Sequence, residues 1–132
     1  MNQHTVSRVA IYLLSIVMIV FGVYHFLRPR DMVVFVPSFM PGGILWVYLV
    51  GAAFVLVAIA FITRRMVKIA GYVLTLILLI FVLTIHLPNY MDAGDPDMQT
   101  VAFINLLKDT ALAGFALHIA SNADNHELNV NY

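Results

Sequence analysis

Four apolar runs of membrane-spanning length dominate this chain. They cover residues 9–27, 44–63, 69–87 and 100–120, and the second run contains no charged residue. About 20 helical residues, each rising about 1.5 Å, are enough to cross the hydrocarbon core of a bilayer. The pattern predicts an all-α integral membrane protein. Because the four runs account for nearly the whole chain, we expect a four-helix antiparallel bundle that forms a single transmembrane domain over residues 1–132.

The composition agrees with a membrane environment. Charged residues make up 11% of the chain and hydrophobic residues 62%, with a mean hydropathy of +0.93. A soluble domain would carry about 25% charged residues, so there is too little polar surface here for a water-soluble particle. The absence of cysteine excludes disulfide exchange and iron–sulfur ligation. We expect the lipid bilayer, other membrane subunits or a second copy as partners, and no nucleic acid.

Local sequence signals mark the start of the fourth helix. Asp95 is a suitable N-cap and Pro96 suits the first helical position. We therefore place the four helices at about residues 9–27, 44–63, 69–87 and 96–120, followed by a polar tail at 121–132.

The connection between the first two helices, residues 28–43, is long and apolar. Pro37 and Pro41 argue against a regular helix through it. Two interpretations stay open for this segment. It is either a lid over a cavity or a cover that faces lipid.

The basic residues predict an orientation. On one expected side lie Arg8, Arg64, Arg65 and Lys68, and on the other lie Arg28 and Arg30. The side with more Lys and Arg normally faces the cytoplasm. This predicts a multi-pass protein of the bacterial inner membrane with both termini cytoplasmic. The first run has no small-residue cleavage site after it, so we expect it to stay uncleaved.

Lys108 and Asp109 are the exception to the apolar pattern, because they lie near the middle of the fourth run. An ionisable group at that depth costs ~2.5–3.5 kcal/mol unless it faces protein or water. Two hypotheses remain open. Each group binds a partner on another helix and fixes the packing, or the two belong to a proton or quinone site.

Topology brings further polar groups to the same region. The first and third helices run in the same direction, so His25 and His86 are expected near one membrane boundary. The predicted ligand-binding pocket comprises Tyr24, His25, His86, Asn89, Asn105, Lys108 and Asp109. Quinone is the one cofactor class we retain. His25 and His86 are weak candidates for haem ligands, since they equally suit an interfacial aromatic belt, and no other metal site is expected.

Several segments carry a resemblance to a known family. They are FGVYHFLRP at 21–29, IHLPN at 85–89, and NLLKD at 105–109 followed by Gly114. Together with the Pro-containing loop before the second helix, these resemble the DoxX family of small bacterial membrane proteins. The resemblance implies a four-helix membrane bundle, with redox-associated work in some members. Many relatives carry an acidic residue in the second helix, whereas VGAAF at 50–54 has none here.

Three functions follow as hypotheses. The first is a small accessory subunit of a membrane complex, redox-linked as the resemblance implies, with no stand-alone catalysis. The second is a protein that binds a quinone or another amphiphile in the polar pocket. A small transporter or proton pathway has less support, because four unbroken helices show no inverted repeat.

Overall fold

The chain folds into a bundle of four long helices. The computed structural model describes residues 2–124. The long helices are α1 (Gln3–Leu27), α2 (Ile44–Thr63), α3 (Val67–Met91) and α4 (Pro96–Ser121). Each is long and apolar enough to cross a membrane, and no strand occurs between residues 2 and 124. The prediction of an all-α chain with four membrane-length helices is confirmed.

The helices form two antiparallel pairs. Within the first pair, Tyr12 of α1 contacts Arg64 just after α2, and Phe26 near the end of α1 stacks on Tyr48 near the start of α2. Helices α3 and α4 pack along each other in the same manner, and α2 joins the two pairs by packing against the first part of α3. We call the end with residues 28–43 and 92–95 the loop end. The opposite end, with the α2–α3 turn at 64–66, is the hairpin end.

Small residues hold each pair together, at opposite ends of the bundle. Near the loop end, a Cβ on Gly51 would lie 3.0 Å from the carbonyl oxygen of Gly22, so α1 and α2 touch through their backbones. Near the hairpin end, a Cβ on Gly71 would lie 2.8 Å from the Cβ of Ala120 and 2.9 Å from the carbonyl oxygen of Ala116. Such close approach between apolar helices depends on small side chains.

The packed core lies mainly in the half of the bundle nearest the hairpin end. Its largest fully buried side chains include Met18 of α1, Phe61 of α2, Leu74 of α3 and Ile119 of α4. Ser15 is also buried, and its hydroxyl donates a hydrogen bond to the carbonyl of Ile11 within its own helix. The loop half of the bundle contributes few buried apolar side chains. The two helix pairs are therefore packed against each other mainly at the hairpin end.

The exterior of the bundle is apolar along all four helices. Large exposed side chains include Leu13 and Val20 on α1, Leu56 on α2 and Leu76 on α3. A soluble monomer rarely exposes an apolar surface of this extent. The exterior suits contact with lipid.

Two helices extend beyond their predicted bounds. Helix α1 begins at Gln3, because the side chain of Asn2 accepts the backbone N–H of Thr5 at 2.9 Å and caps the helix before its apolar run starts. The predicted start at residue 9 was therefore too late. Helix α4 begins as predicted, with the Asp95 carboxylate accepting the N–H of Met98 at 2.9 Å. Of the predicted polar tail at 121–132, residues 125–132 lie outside the described part of the chain.

Helix α3 continues to Met91, past the predicted end at residue 87. A π-helical turn, Val82–His86, ends two residues before Pro88, and the N–H of Leu87 donates to the carbonyl of Val82. Proline lacks an N–H and its ring clashes with an ordinary helical turn before it. The wider turn lets the helix pass Pro88 and add one more turn, Leu87–Met91.

We predict that Gly71→Ala destabilises the bundle. The added methyl group meets the backbone of α4 and the Cβ of Ala120, neither of which moves without displacing the helix. Overpacking of this kind costs about 1–3 kcal/mol. Equilibrium unfolding in mixed detergent micelles, followed by circular dichroism, measures the change in the free energy of unfolding.

The matched control is Gly114→Ala, because a Cβ at Gly114 has no neighbour within 4 Å. Alanine is the better helix former, so this variant should be neutral or more stable by up to about 1 kcal/mol. Equal destabilisation by the two substitutions would contradict the close contact at Gly71.

Candidate functional site

A large cavity lies between the two helix pairs toward the loop end. Its volume is about 550 Å³, within the usual range for small-molecule sites. The buried side chains of Met18, Phe54 and Leu78 separate it from the packed core. The remaining lining residues are Phe21, Tyr24, His25, Met32, Phe35, Val36, Pro37, Met40, Trp46, Val47, Val50, Ile77, Ile80, Phe81, Thr84, Ile85, His86, Asn105, Lys108, Asp109 and Leu112.

The cavity reaches the exterior of the bundle. Ile80 and Thr84 of α3 line it although both are exposed, and so does Trp46 of α2. Helix α2 packs against Val67–Phe81 of α3 but forms no comparable packing with the rest of that helix in the described chain. The gap between α2 and α3 at the loop end therefore connects the cavity with the surroundings of the bundle.

The loop at residues 28–43 covers the loop end of the cavity. Its first part forms a short helix, Pro29–Val33, which stops before Pro37. Phe35, Val36 and Pro37 are among the loop residues that line the cavity. The loop therefore contacts the interior of the site.

The opposite side of the same loop faces outward. Val34 and Phe39 are its most exposed apolar side chains. The indole N–H of Trp46 donates to the carbonyl of Pro41 at 2.7 Å and ties the loop to α2. Both earlier interpretations describe part of this segment, since it covers the cavity and presents apolar side chains outward. That it opens as a lid stays a prediction.

A polar cluster lies on the α3–α4 side of the cavity. The Asp109 carboxylate is buried, and its Oδ2 lies 2.8 Å from Nε2 of His86. Its Oδ1 lies 3.4 Å from Nζ of Lys108. The Lys108 ammonium also lies 4.9 Å from the centroid of the Phe21 ring on α1, a cation–π contact. The cluster links three helices around one carboxylate.

These contacts bear on the packing hypothesis for the two charges. Asp109 binds a residue of another helix, His86, as that hypothesis predicts. Lys108 instead binds its sequence neighbour and reaches the ring of Phe21. Opposite charges this close offset part of the cost of burial. Because Lys108 remains substantially exposed and lines the cavity, the cluster is also available to a ligand.

His86 owes its orientation to the π-helical turn, of which it is the last residue. The turn contains one residue more than an α-helical turn. One member of the predicted pocket lies elsewhere. Asn89 is exposed and does not line the cavity.

The other predicted pocket residues all line the cavity. They are Tyr24, His25, His86, Asn105, Lys108 and Asp109. That they bind a ligand stays a prediction, as does haem ligation by His25 and His86. Among residues 2–124 there is no group of three or more His, Cys, Asp or Glu side chains placed to hold a metal ion.

The sequence-based prediction missed most of the apolar lining. Phe54 and Phe81 contact each other with ring centroids 6.3 Å apart, and both face the cavity. Trp46 was not predicted either, whereas the loop at 28–43 was predicted as a lid over a cavity in one of the two interpretations. Apolar side chains give no signal in a membrane sequence, since nearly every position is apolar.

We predict that Asp109→Leu destabilises the bundle more than Lys108→Leu. The first change leaves the His86 imidazole and the Lys108 ammonium without their shared acceptor. The second leaves Asp109 with the 2.8 Å contact to His86. Removing one partner of a buried pair costs about 3–5 kcal/mol, so the loss for Asp109→Leu should approach that range.

Thr110→Leu is the control for this comparison. Thr110 is exposed and bonds only to the Leu106 carbonyl of its own helix in the described chain. Its replacement should change the free energy of unfolding by less than about 0.5 kcal/mol, measured as for the glycine variants. A larger loss for Lys108→Leu than for Asp109→Leu would contradict a cluster centred on the carboxylate.

Comparison with known proteins corrects the sequence-based family assignment. No curated protein and no solved structure matches the chain. One family model matches residues 14–120, and it is not that of the DoxX family. The resemblance to DoxX proteins is therefore wrong, because its short motifs are too loose to identify a family. The chain belongs to the family described as Domain of unknown function (DUF8561).

Proposed function

We propose that this protein binds a lipid-soluble amphiphile in the cavity at the loop end. The observation that carries the proposal is a cavity of about 550 Å³ whose walls are mostly apolar and which has the Lys108–Asp109–His86 cluster on one side. Small-molecule sites are typically apolar concave surfaces with a few polar groups that orient the ligand.

The shape of the site favours a ligand that arrives from the membrane. The lining includes exposed residues on α2 and α3, so a molecule in the cavity remains in contact with the exterior of the bundle. The apolar body of the ligand would lie against Met18, Val50 and Phe54. Its polar head would lie near Lys108 and His86. An amphiphile dissolved in the bilayer has this division into body and head.

Quinones and their reduced forms are one class with the required chemistry. A quinone carbonyl accepts hydrogen bonds, and the Lys108 ammonium is a donor at the cavity wall. The flat ring suits a wall that contains Phe21, Phe54 and Phe81, since aromatic rings pack favourably on each other. A long tail would leave through the gap between α2 and α3.

The hypothesis of an accessory subunit also stays a prediction, and it concerns a partner protein instead of a ligand. It requires a partner, which a stoichiometric protein retained on purification from native membranes would reveal. It does not conflict with a ligand site, because a small subunit of a membrane complex can also hold an amphiphile. The geometry assigns no catalytic step to this chain.

We also propose that the protein lies in a bacterial inner membrane with both termini cytoplasmic. Basic residues are more numerous at the hairpin end, with Arg64 and Arg65 in the α2–α3 turn, than at the loop end. The hairpin end would therefore face the cytoplasm. The cavity would then open in the outer half of the membrane.

Single cysteines test this orientation, because the natural chain has none. Met66→Cys marks the hairpin end and Ser38→Cys marks the loop end, and both positions are exposed. We expect a membrane-impermeant maleimide added to spheroplasts to label Ser38→Cys and to spare Met66→Cys. Lysed membranes should allow labelling of both. The reverse pattern in spheroplasts would overturn the orientation.

Ligand binding is readable through Trp46, the single tryptophan of the chain, which lines the cavity. We predict that decylubiquinone quenches Trp46 fluorescence in lipid nanodiscs with saturation. The double variant Val50→Phe/Leu112→Phe fills the cavity and should abolish the saturable part, because both residues line it.

The control Leu49→Phe/Leu107→Phe makes the same kind of change on the exterior of the same helices, at exposed positions outside the cavity. It should quench like the natural protein. Quenching that rises linearly with the quinone content of the bilayer in all three proteins would show only lipid partitioning and would contradict the proposed site.

A further inference from the structure

The two histidines in the cavity each have one ring nitrogen engaged by the protein and one left open. Nδ1 of His25 lies 2.6 Å from the carbonyl oxygen of Phe21, and Nε2 of His86 lies 2.8 Å from Oδ2 of Asp109. In residues 2–124 no fully buried side-chain nitrogen or oxygen lacks a hydrogen-bond partner. The second nitrogens of these rings have no protein partner, so they are accessible, and both residues line the cavity.

The engaged nitrogen of His25 must be a donor. A backbone carbonyl oxygen only accepts, so the bond to Phe21 requires a proton on Nδ1. In the neutral imidazole the other nitrogen, Nε2, is then an acceptor. The ring is also held at its edge against Phe54, with centroids 5.5 Å apart and planes at 88°. Both its tautomer and its position are therefore defined by the protein.

The same argument applies to His86. An ionised carboxylate only accepts, so Nε2 of His86 donates to Asp109. Lys108 lies 3.4 Å from the same carboxylate and balances its charge. A neutral imidazole therefore leaves the cluster without net charge in an apolar setting. In that state Nδ1 of His86 is the second acceptor of the cavity.

Two donors of the cavity are already engaged by the protein. The Lys108 ammonium interacts with Asp109 and with the Phe21 ring. The Trp46 N–H bonds to the Pro41 carbonyl. Asn105 and the Tyr24 hydroxyl each supply both a donor and an acceptor, so they favour neither kind of ligand. The open ring nitrogens of the two imidazoles are acceptors, so they favour a ligand that donates hydrogen bonds.

We infer that the ligand of this cavity bears hydroxyl groups on an aromatic head, as a phenol or a hydroquinone does. This rests on the proposed function and narrows it to the hydroxyl form of such molecules. The aromatic head is indicated by the wall, where Phe35, Phe54 and Phe81 present rings to the cavity. Each hydroxyl would donate to an open imidazole nitrogen, at His25 or at His86.

A matched pair of probes tests the inference. Para-octylphenol and para-octylanisole share the same body and differ only in the hydroxyl hydrogen, which a methyl group replaces in the anisole. Native mass spectrometry in mild detergent measures the fraction of protein that carries one probe. We expect the phenol to bind about tenfold more tightly than the anisole, the effect of a hydrogen bond to an otherwise unpaired acceptor.

The variant His25→Phe removes one hydrogen-bond acceptor and keeps the rest of the site. Phenylalanine retains an aromatic ring beside Phe54 and removes both ring nitrogens, and it leaves the His86–Asp109 contact in place. The preference for the phenol should fall to about threefold, with His86 as the remaining acceptor. Binding of the anisole should be unchanged, which shows that the cavity is intact.

The outcomes distinguish the inference from the proposed function. Equal binding of both probes by the natural protein, abolished in the filled-cavity variant Val50→Phe/Leu112→Phe, would overturn the hydroxyl preference and support the site. A phenol preference that persists unchanged in His25→Phe would overturn the role of His25. Binding of neither probe above the level of the filled-cavity variant would overturn both proposals.

Discussion

The confinement of close packing to the hairpin half of the bundle is the constraint on which the site depends. Met18, Phe54 and Leu78 are buried side chains of the core that also line the cavity, and they form its floor. Toward the hairpin end, the two helix pairs meet in a continuous apolar core. Toward the loop end, the helices of each pair stay in contact, at Gly22 and Gly51 in the first pair, but the two pairs lie apart. The cavity follows from this geometry.

Asp109 lies where the core ends and the cavity begins. A carboxylate in that position is costly unless donors surround it, and His86 and Lys108 supply them from two sides. The same arrangement bears on the proposed binding site. When His86 donates to Asp109 as a neutral imidazole, the other nitrogen of that ring is an acceptor. One buried carboxylate thus joins α3 to α4 and orients the ring that we propose for ligand binding.

The sequence does not show which faces of α2 and α3 are buried, for a physical reason. On α3, Lys68 and Tyr72 are exposed, whereas Gly71 and Thr75 are buried. Most positions on α2 and α3 are apolar, so polarity does not distinguish the lipid face from the protein face. Close contact at a glycine determines instead which face of the helix is buried.

The polar part of the site was predictable because ionisable and amide groups in an apolar run must face one another or water. Its shape was not, because a cavity exists where helices fail to meet, and inward-facing residues look the same whether the space between them is filled or empty. His86 shows the limit most clearly. Its contact with Asp109 depends on the π-helical turn at Val82–His86, and the only local cause is Pro88, which disfavours an ordinary turn before it. The residues around Pro88 do not reveal that the helix widens here and continues to Met91. The sequence therefore places His86 and Asn89 alike in the pocket, although only His86 lines the cavity.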